Sequence, residues 1–176
     1  QGIAFQTQSD TEVIVRAYDA WGVTAFGRLS GMFSFALWDA ARGKVMIVRD
    51  PEGIKPLYYC AETERIIFAA VVNAFKAMTP GWPQDRKWKP LFLSLGFVPH
   101  PFTTLEGVRS LSPGTFLEVD DNTLNVRQSS YRRESVQPIL NGSVRSEMTA
   151  ALKRHLISDA PLGVFLSGGI DSSLLT

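Results

Sequence analysis

The chain reads as an α+β protein. An amphipathic helix precedes a run of antiparallel strand patterns, and an apolar segment, a glycine turn and a helix start follow near the other end. The helix signal comes first. Ser9-Asp10-Thr11-Glu12 has the form of a capping box, with Ser9 as N-cap and Glu12 at the third helical position. Val13, Ile14, Ala17, Tyr18 and Trp21 then recur at helical spacing, and Gly22 supplies a stop. Asp10 falls in the first turn, where the helix dipole stabilises a carboxylate.

From Leu29 the period changes. Residues 31–38 form a nearly all-apolar strand, which predicts burial on both faces. A turn at residues 39–44 leads to a second strand at 45–48, and Asp50-Pro51-Glu52-Gly53 is turn chemistry. Residues 57–59 and 66–68 make a hairpin around Glu62-Thr63-Glu64, so the four strands predict one antiparallel meander on a helix. Residues 79–86 are a loop, 88–95 a short helix, and Pro99-His100-Pro101 is extended. Residues 115–119 and 124–127 form a hairpin around Asp120-Asp121-Asn122. Residues 135–142 suit a linker, and 144–157 an amphipathic helix with Val144, Met148, Ala151, Leu152 and Leu156 on one face.

Composition sets bounds. Of 176 residues, 45% are hydrophobic and 20% charged, enough apolar mass for a core. A net charge of +1 gives no field to attract nucleic acid or acidic membranes, and Tyr131-Arg132-Arg133 reads as a solvated loop. No apolar run approaches the roughly 20 residues of a membrane span, and no signal peptide is recognisable. One cysteine, Cys60, forbids an internal disulfide and is compatible with a reducing compartment. Cys60 follows a predicted strand with no base nearby in sequence and reads as a structural thiol. His100 and His155 have no partners at metal-ligand spacing, so no metal cluster is expected. The chain opens on Gln1 rather than Met and stops at Thr176 just after a helix start, which leads us to expect an internal piece of a longer protein.

The most informative segment is Leu166-Ser167-Gly168-Gly169-Ile170-Asp171-Ser172-Ser173. The apolar run at 162–166 predicts a buried parallel strand, followed by a glycine turn and a helix start, the arrangement of an anion site. Glycines let the backbone approach a ligand, unpaired N–H groups point at it, and serine hydroxyls donate to phosphate oxygens. Asp171 near phosphates implies an intervening cation, for which Mg²⁺ is the natural choice. The Gly-Lys-Ser/Thr ending of a Walker A loop is absent.

Residues 158–173 closely resemble the start of the synthetase domain of the glutamine-hydrolysing asparagine synthetase B family. The likeness extends upstream through Ser9 to Ile14, Leu29 to Asp39 and Arg49 to Tyr59, then Gly96 to Pro99 and Leu105 to Gly114, in the family's order. It implies a partial N-terminal-nucleophile glutaminase sandwich (αββα) with its connecting segment over residues 1–134 and a linker at 135–142. The first strand and pyrophosphate loop of an α/β ATP-pyrophosphatase domain would follow over 143–176. The family adenylates aspartate with ATP, releases pyrophosphate, and amidates the acyl-AMP with ammonia drawn from glutamine. The resemblance therefore implies small-molecule substrates (glutamine, aspartate, ATP), Mg²⁺ and a cytoplasmic setting, and leaves a homodimer open.

Carried over residue by residue, the resemblance assigns Asp10 to the α-amino group of glutamine. On the residues alone, Asp10 is a helix-terminus carboxylate. Leu166, Ser167, Gly168, Gly169, Asp171 and Ser172 become ATP contacts. Arg49 and Asp50 invite a catalytic reading, but Asp50 capping the turn at 51–53, with Arg49 paired to a carboxylate, is preferred. No catalytic residue is assigned, because the family's nucleophile is an N-terminal cysteine and Cys60 lies inside the chain. Two departures stand out. Phe68-Ala69-Ala70-Val71 replaces the family's Phe-Ala-Ser-Glu near the presumed domain interface, which bears on ammonia transfer, and Arg132 follows Tyr131 where an aromatic is usual. Relatives of this architecture amidate cell-surface sugars or close a β-lactam ring, so the acceptor stays open, as does a non-catalytic truncated domain.

Overall fold

The computed structural model describes residues 4–131 and 143–175. The chain divides into two compact units, residues 1–134 and 135–176. The linker expected at 135–142 lies outside the described residues, as do Arg132 and Arg133.

In the first unit, helix α1 (Asp10–Trp21) begins after Ser9, whose side chain accepts from the Thr11 amide, and it ends at Gly22 with a positive φ of 57°. A 3-10 helix (Gly22–Arg28), not anticipated from the sequence, continues it and buries Ala25 and Phe26. Strands β1 (Ser34–Asp39) and β2 (Lys44–Arg49) pair antiparallel, as expected. Strand β3 (Tyr58–Ala61) pairs with β4 (Ile66–Ala69). Helix α2 (Asn73–Met78) follows, with no side-chain cap, and helix α3 (Trp88–Leu95) carries Pro90 in its first turn, where no amide is needed. Strands β5 (Arg109–Ser110), β6 (Thr115–Asp120) and β7 (Val126–Ser130) complete the unit.

The single meander is corrected. The strands form two sheets, ordered β1-β2-β6-β7 and β4-β3-β5. Strand β2 pairs with β6, setting Ile47 opposite Leu117, and not with the β3 that follows it in sequence. Burial of β1 on both faces is also corrected. It is an edge strand, and Trp38 is 67% exposed. The strand buried on both faces is β2, where Met46, Ile47 and Val48 are all inaccessible.

Alternation along the strands divides the core into three. Met46, Val48 and Phe116 face Ala17, Tyr18, Ala25 and Phe26 of the helical layer. Phe26 sits at the centre of that layer, 5.3 Å edge-to-face from Phe116 and 5.9 Å from Tyr131. Ile47, Leu117 and Val119 point the other way and meet Leu57, Leu111, Tyr59 and Ile66, which joins the two sheets. On the far side of the second sheet, Cys60, Trp82, Leu105 and Val108 enclose Phe75 of α2. The layers of this unit therefore run helix, sheet, sheet, helix. Burying a ring such as Phe26 or Phe75 contributes about 2–3 kcal/mol.

The described part of the second unit holds helix α4 (Val144–His155) and helix α5 (Ile170–Leu175). Ser143 caps α4 by accepting from the Ser146 amide, and Lys153, Arg154 and His155 complement its last turn. No residue of α4 is buried, and Leu156 and Ile157 lie past its end. Residues 162–166, expected as a buried strand, have no ladder partner among the described residues, and Phe165 is fully exposed. A parallel strand is completed by its neighbours in a sheet, and the described residues of this unit supply helices.

Candidate functional site

The start of α1 gathers polar groups around Asp10. A capping box would send the Glu12 carboxylate back to the Ser9 amide. Instead, Glu12 reaches further. Its Oε1 accepts from the Gln6 amide at 2.9 Å, and its Oε2 accepts from the Thr7 amide and the Thr7 hydroxyl, each at 2.6 Å. The Thr7 hydroxyl in turn accepts from the Ser9 amide at 3.2 Å, so the reciprocal bond is relayed through threonine. Arg16 adds a 3.5 Å ion pair one turn on. The Thr7 hydroxyl bond first and the Gln6 amide second, with lesser help from the Thr7 amide and Arg16, hold the Glu12 carboxyl down at about 2 against the opposing effect of desolvation. Asp10 itself is exposed, and among the described residues none bonds to its carboxylate. That leaves an acidic group open to an ammonium ligand on a tightly held segment. Thr7 carries no motif-level signal and was not singled out from the sequence.

Arg49 and Asp50 are structural, and one detail of the expectation changes. Asp50 is fully buried and accepts from the amides of Glu52 (3.1 Å), Ile54 (2.9 Å) and Lys55 (2.9 Å), capping the turn as expected. Among the described residues, Arg49 pairs with no carboxylate. Its guanidinium donates to the carbonyls of Lys55, Gly53 and Leu111 and to the Ser110 hydroxyl. The two residues hold the crossover by which the chain leaves the first sheet for the second. Tyr131 reaches the Arg49 carbonyl with its hydroxyl, and burial, with Asp50 nearby, pushes its phenol well above the usual range.

His100 Nε2 bonds the Ser112 hydroxyl at 2.9 Å, and partial burial, then the Arg49 charge, lower its pKa. Cys60 lies in β3, buried, its thiol pushed up by desolvation and then by Glu62. Ala70 and Val71 are exposed between β4 and α2, where they offer α2 no side-chain cap. No group of three or more His, Cys, Asp or Glu suited to a metal occurs among the described residues, and none of their helices is long and apolar enough to cross a membrane.

In the second unit, the glycine loop closes a hydrogen-bond circuit on one residue. The Gly169 amide donates to Ser167 Oγ (3.4 Å), Ser167 Oγ lies 3.0 Å from Ser172 Oγ, and Ser172 Oγ donates to the Gly169 carbonyl (3.1 Å). Ser173 Oγ donates to the same carbonyl at 2.8 Å. Gly168 adopts φ +77°, and a Cβ there would meet nothing within 4 Å, so backbone conformation rather than space asks for glycine. Leu166 and Asp171 are exposed on either side. The donor set suits an anion, with Asp171 its one acidic member and the only residue of the loop fit to hold Mg²⁺. In this arrangement the hydroxyls of Ser172 and Ser173 donate inward, so binding phosphate oxygens requires them to turn.

Comparisons with known proteins follow this division. A family model described as a glutamine amidotransferase domain matches residues 1–132, and one described as asparagine synthase matches residues 143–176. The chain is 32% identical, over 99% of its length, to asparagine synthetase [glutamine-hydrolyzing] 1 of Bacillus subtilis, of which it covers 28%. It is 33% identical, again over 99%, to a putative asparagine synthetase [glutamine-hydrolyzing] of Mycobacterium tuberculosis, of which it covers 29%. Amidase chry2 of Gibberella zeae is 30% identical over 96% of the chain, which covers 26% of it. The chain thus spans under a third of the length of these relatives. Among solved structures, the glutamine phosphoribosylpyrophosphate amidotransferase of B. subtilis is similar in fold, with a TM-score of 0.50 and 19% identity over 77% of this chain and 25% of that one.

Proposed function

We propose, from the premise that this chain belongs to the glutamine-hydrolysing asparagine synthetase family, that the whole protein amidates aspartate with nitrogen from glutamine at the expense of ATP. The balance is aspartate, glutamine, ATP and water giving asparagine, glutamate, AMP and pyrophosphate. The observation that carries the reading is the succession, in one chain, of an amidotransferase match and an asparagine synthase match. We assign residues 1–134 to an N-terminal-nucleophile glutaminase with its connecting segment and 143–176 to the start of the ATP-binding domain, and we place the reaction in the cytoplasm.

In this reading Asp10 binds the α-amino group of glutamine, a charge-assisted contact for which its carboxylate is open. Ser167, Gly168, Gly169 and Ser172, with Leu166 leading in, cradle the pyrophosphate of ATP through amides and hydroxyls. Asp171 holds Mg²⁺, whose charge offsets that of the phosphates.

The test supplies the purified full-length protein with L-glutamine, L-aspartate and Mg-ATP. Asparagine, AMP and pyrophosphate appearing in equal amounts support the reading. ADP in place of AMP rules out α-phosphate chemistry, and release of neither asparagine nor AMP sinks the assignment. A second reading keeps the fold and changes the acceptor. It is favoured by the fungal amidase relative, nearly as similar as the synthetases. AMP formation that needs a carboxylate other than aspartate would select it.

A further inference from the structure

We propose that Glu12 is the positioning residue for glutamine recognition, acting through Thr7; this rests on the reading of Asp10 as the group that binds the α-amino nitrogen. Asp10 is only the first residue of α1, and the described residues before it, 4–9, form no strand or helix. What fixes that chain is a single carboxylate two residues further into the helix. Glu12 accepts the amides of Gln6 and Thr7 and the Thr7 hydroxyl, at distances from 2.6 to 3.1 Å. The hydroxyl it orients accepts the Ser9 amide, and the Ser9 hydroxyl accepts the Thr11 amide at 3.2 Å. The bonded residues therefore flank Asp10 on both sides, yet none of these bonds is spent on Asp10 itself. The segment from Gln6 to Thr11 is closed around a carboxylate left available to a ligand.

The geometry also explains why this residue is an acid and not its amide. Every group aimed at its two oxygens, apart from the Arg16 guanidinium, is an N–H or O–H donor of the preceding segment, so only an acceptor-only side chain satisfies them all. Glutamine at this position would present an NH₂ to at least one donor. A charge on the segment's own helix also keeps the clamp independent of the strands, so losing it loosens the segment before Asp10 while leaving the cores intact.

The experiment measures glutamine hydrolysis by the full-length protein in four forms: wild type, Glu12→Gln, Thr7→Val and the double variant, with Asp10→Asn as reference. Glu12→Gln raises the KM for L-glutamine about tenfold and changes kcat less than twofold, because it removes positioning for binding and not a reacting group. Thr7→Val raises KM about threefold, and the double variant is no worse than Glu12→Gln, since both act on one connection. Melting curves accompany each variant. If Glu12→Gln does not fold, Thr7→Val, which keeps the carboxylate and both amide bonds, decides by the same KM criterion. Folded variants with KM within twofold of wild type overturn the inference while Asp10→Asn still raises KM. An Asp10→Asn variant with unchanged KM overturns the reading of Asp10 and this inference with it.

Discussion

Arg49 and Asp50 grip the same residue from opposite ends: Arg49 Nε donates to the Lys55 carbonyl and Asp50 Oδ2 accepts the Lys55 amide, each at 2.9 Å. Arg49 ends β2 and Asp50 opens the turn that follows, so the pair spans that turn and pins the point at which the chain passes between sheets. Replacing Asp50 by alanine removes the carboxylate that three amides share at a fully buried position. We expect a loss of about 3 kcal/mol or more in urea unfolding of the chain. A loss under 1 kcal/mol would mean that water takes over the cap.

Gly53 lies in that turn with φ +68°, and a Cβ would meet Pro113 Cγ at 2.7 Å; Gly81 has φ +82° and nothing within 4 Å. Gly81→Ala therefore costs only the conformational penalty, about 1 kcal/mol, whereas Gly53→Ala costs about 2 kcal/mol or more. Equal urea midpoints for the two variants would show that Pro113 gives way freely.

Much of this scaffold was legible locally. The cap at Ser9, the helical spacing from Val13 to Trp21 and the β1–β2 hairpin depend on near neighbours. The pairing of Ile47 with Leu117 was not, since no local pattern tells β2 which distant strand it meets. No residue pattern announces helix α2, because it is short and lacks a side-chain cap. Strand β7 was placed too early because Gln128, Ser129 and Ser130, on a sheet edge, carry no apolar alternation. Around the candidate site, Asp10 and Glu12 stood out by motif, but the partners of Glu12 lie five and six residues back, beyond the spacing of a capping box.

The Glu12 carboxyl titrates at about 2 in the folded chain, against an ordinary 4.5. A depressed carboxylate pKa contributes stability that is fully present above the ordinary value and is lost as pH falls toward the folded one. The segment before α1 therefore stays closed at pH 4 and opens only on approach to pH 2. Carboxyl ¹³C shifts read the midpoint directly, and an ordinary midpoint for Glu12 would mean that the Thr7 bonds do not persist in solution.

Gly168→Ala puts a side chain at φ +77° in open space, so its effect falls on the loop's backbone and not on packing. In the full-length protein we expect Mg-ATP affinity to drop about tenfold, with the KM for glutamine unchanged, because the two ligands are assigned to separate units. An unchanged ATP affinity would remove the loop from the nucleotide site.

Cys60 has a use that owes nothing to catalysis. It is the only sulfhydryl in the chain, 5% exposed, packed in the core with Phe75 and Trp82, its ionisation suppressed by burial. An alkylating reagent reaches it when that core opens, so its modification rate is a clock for local breathing of the second sheet. A cysteine introduced on the surface reacts first, which lets a spectroscopic label be placed beside Asp10 or on the glycine loop without removing the native thiol.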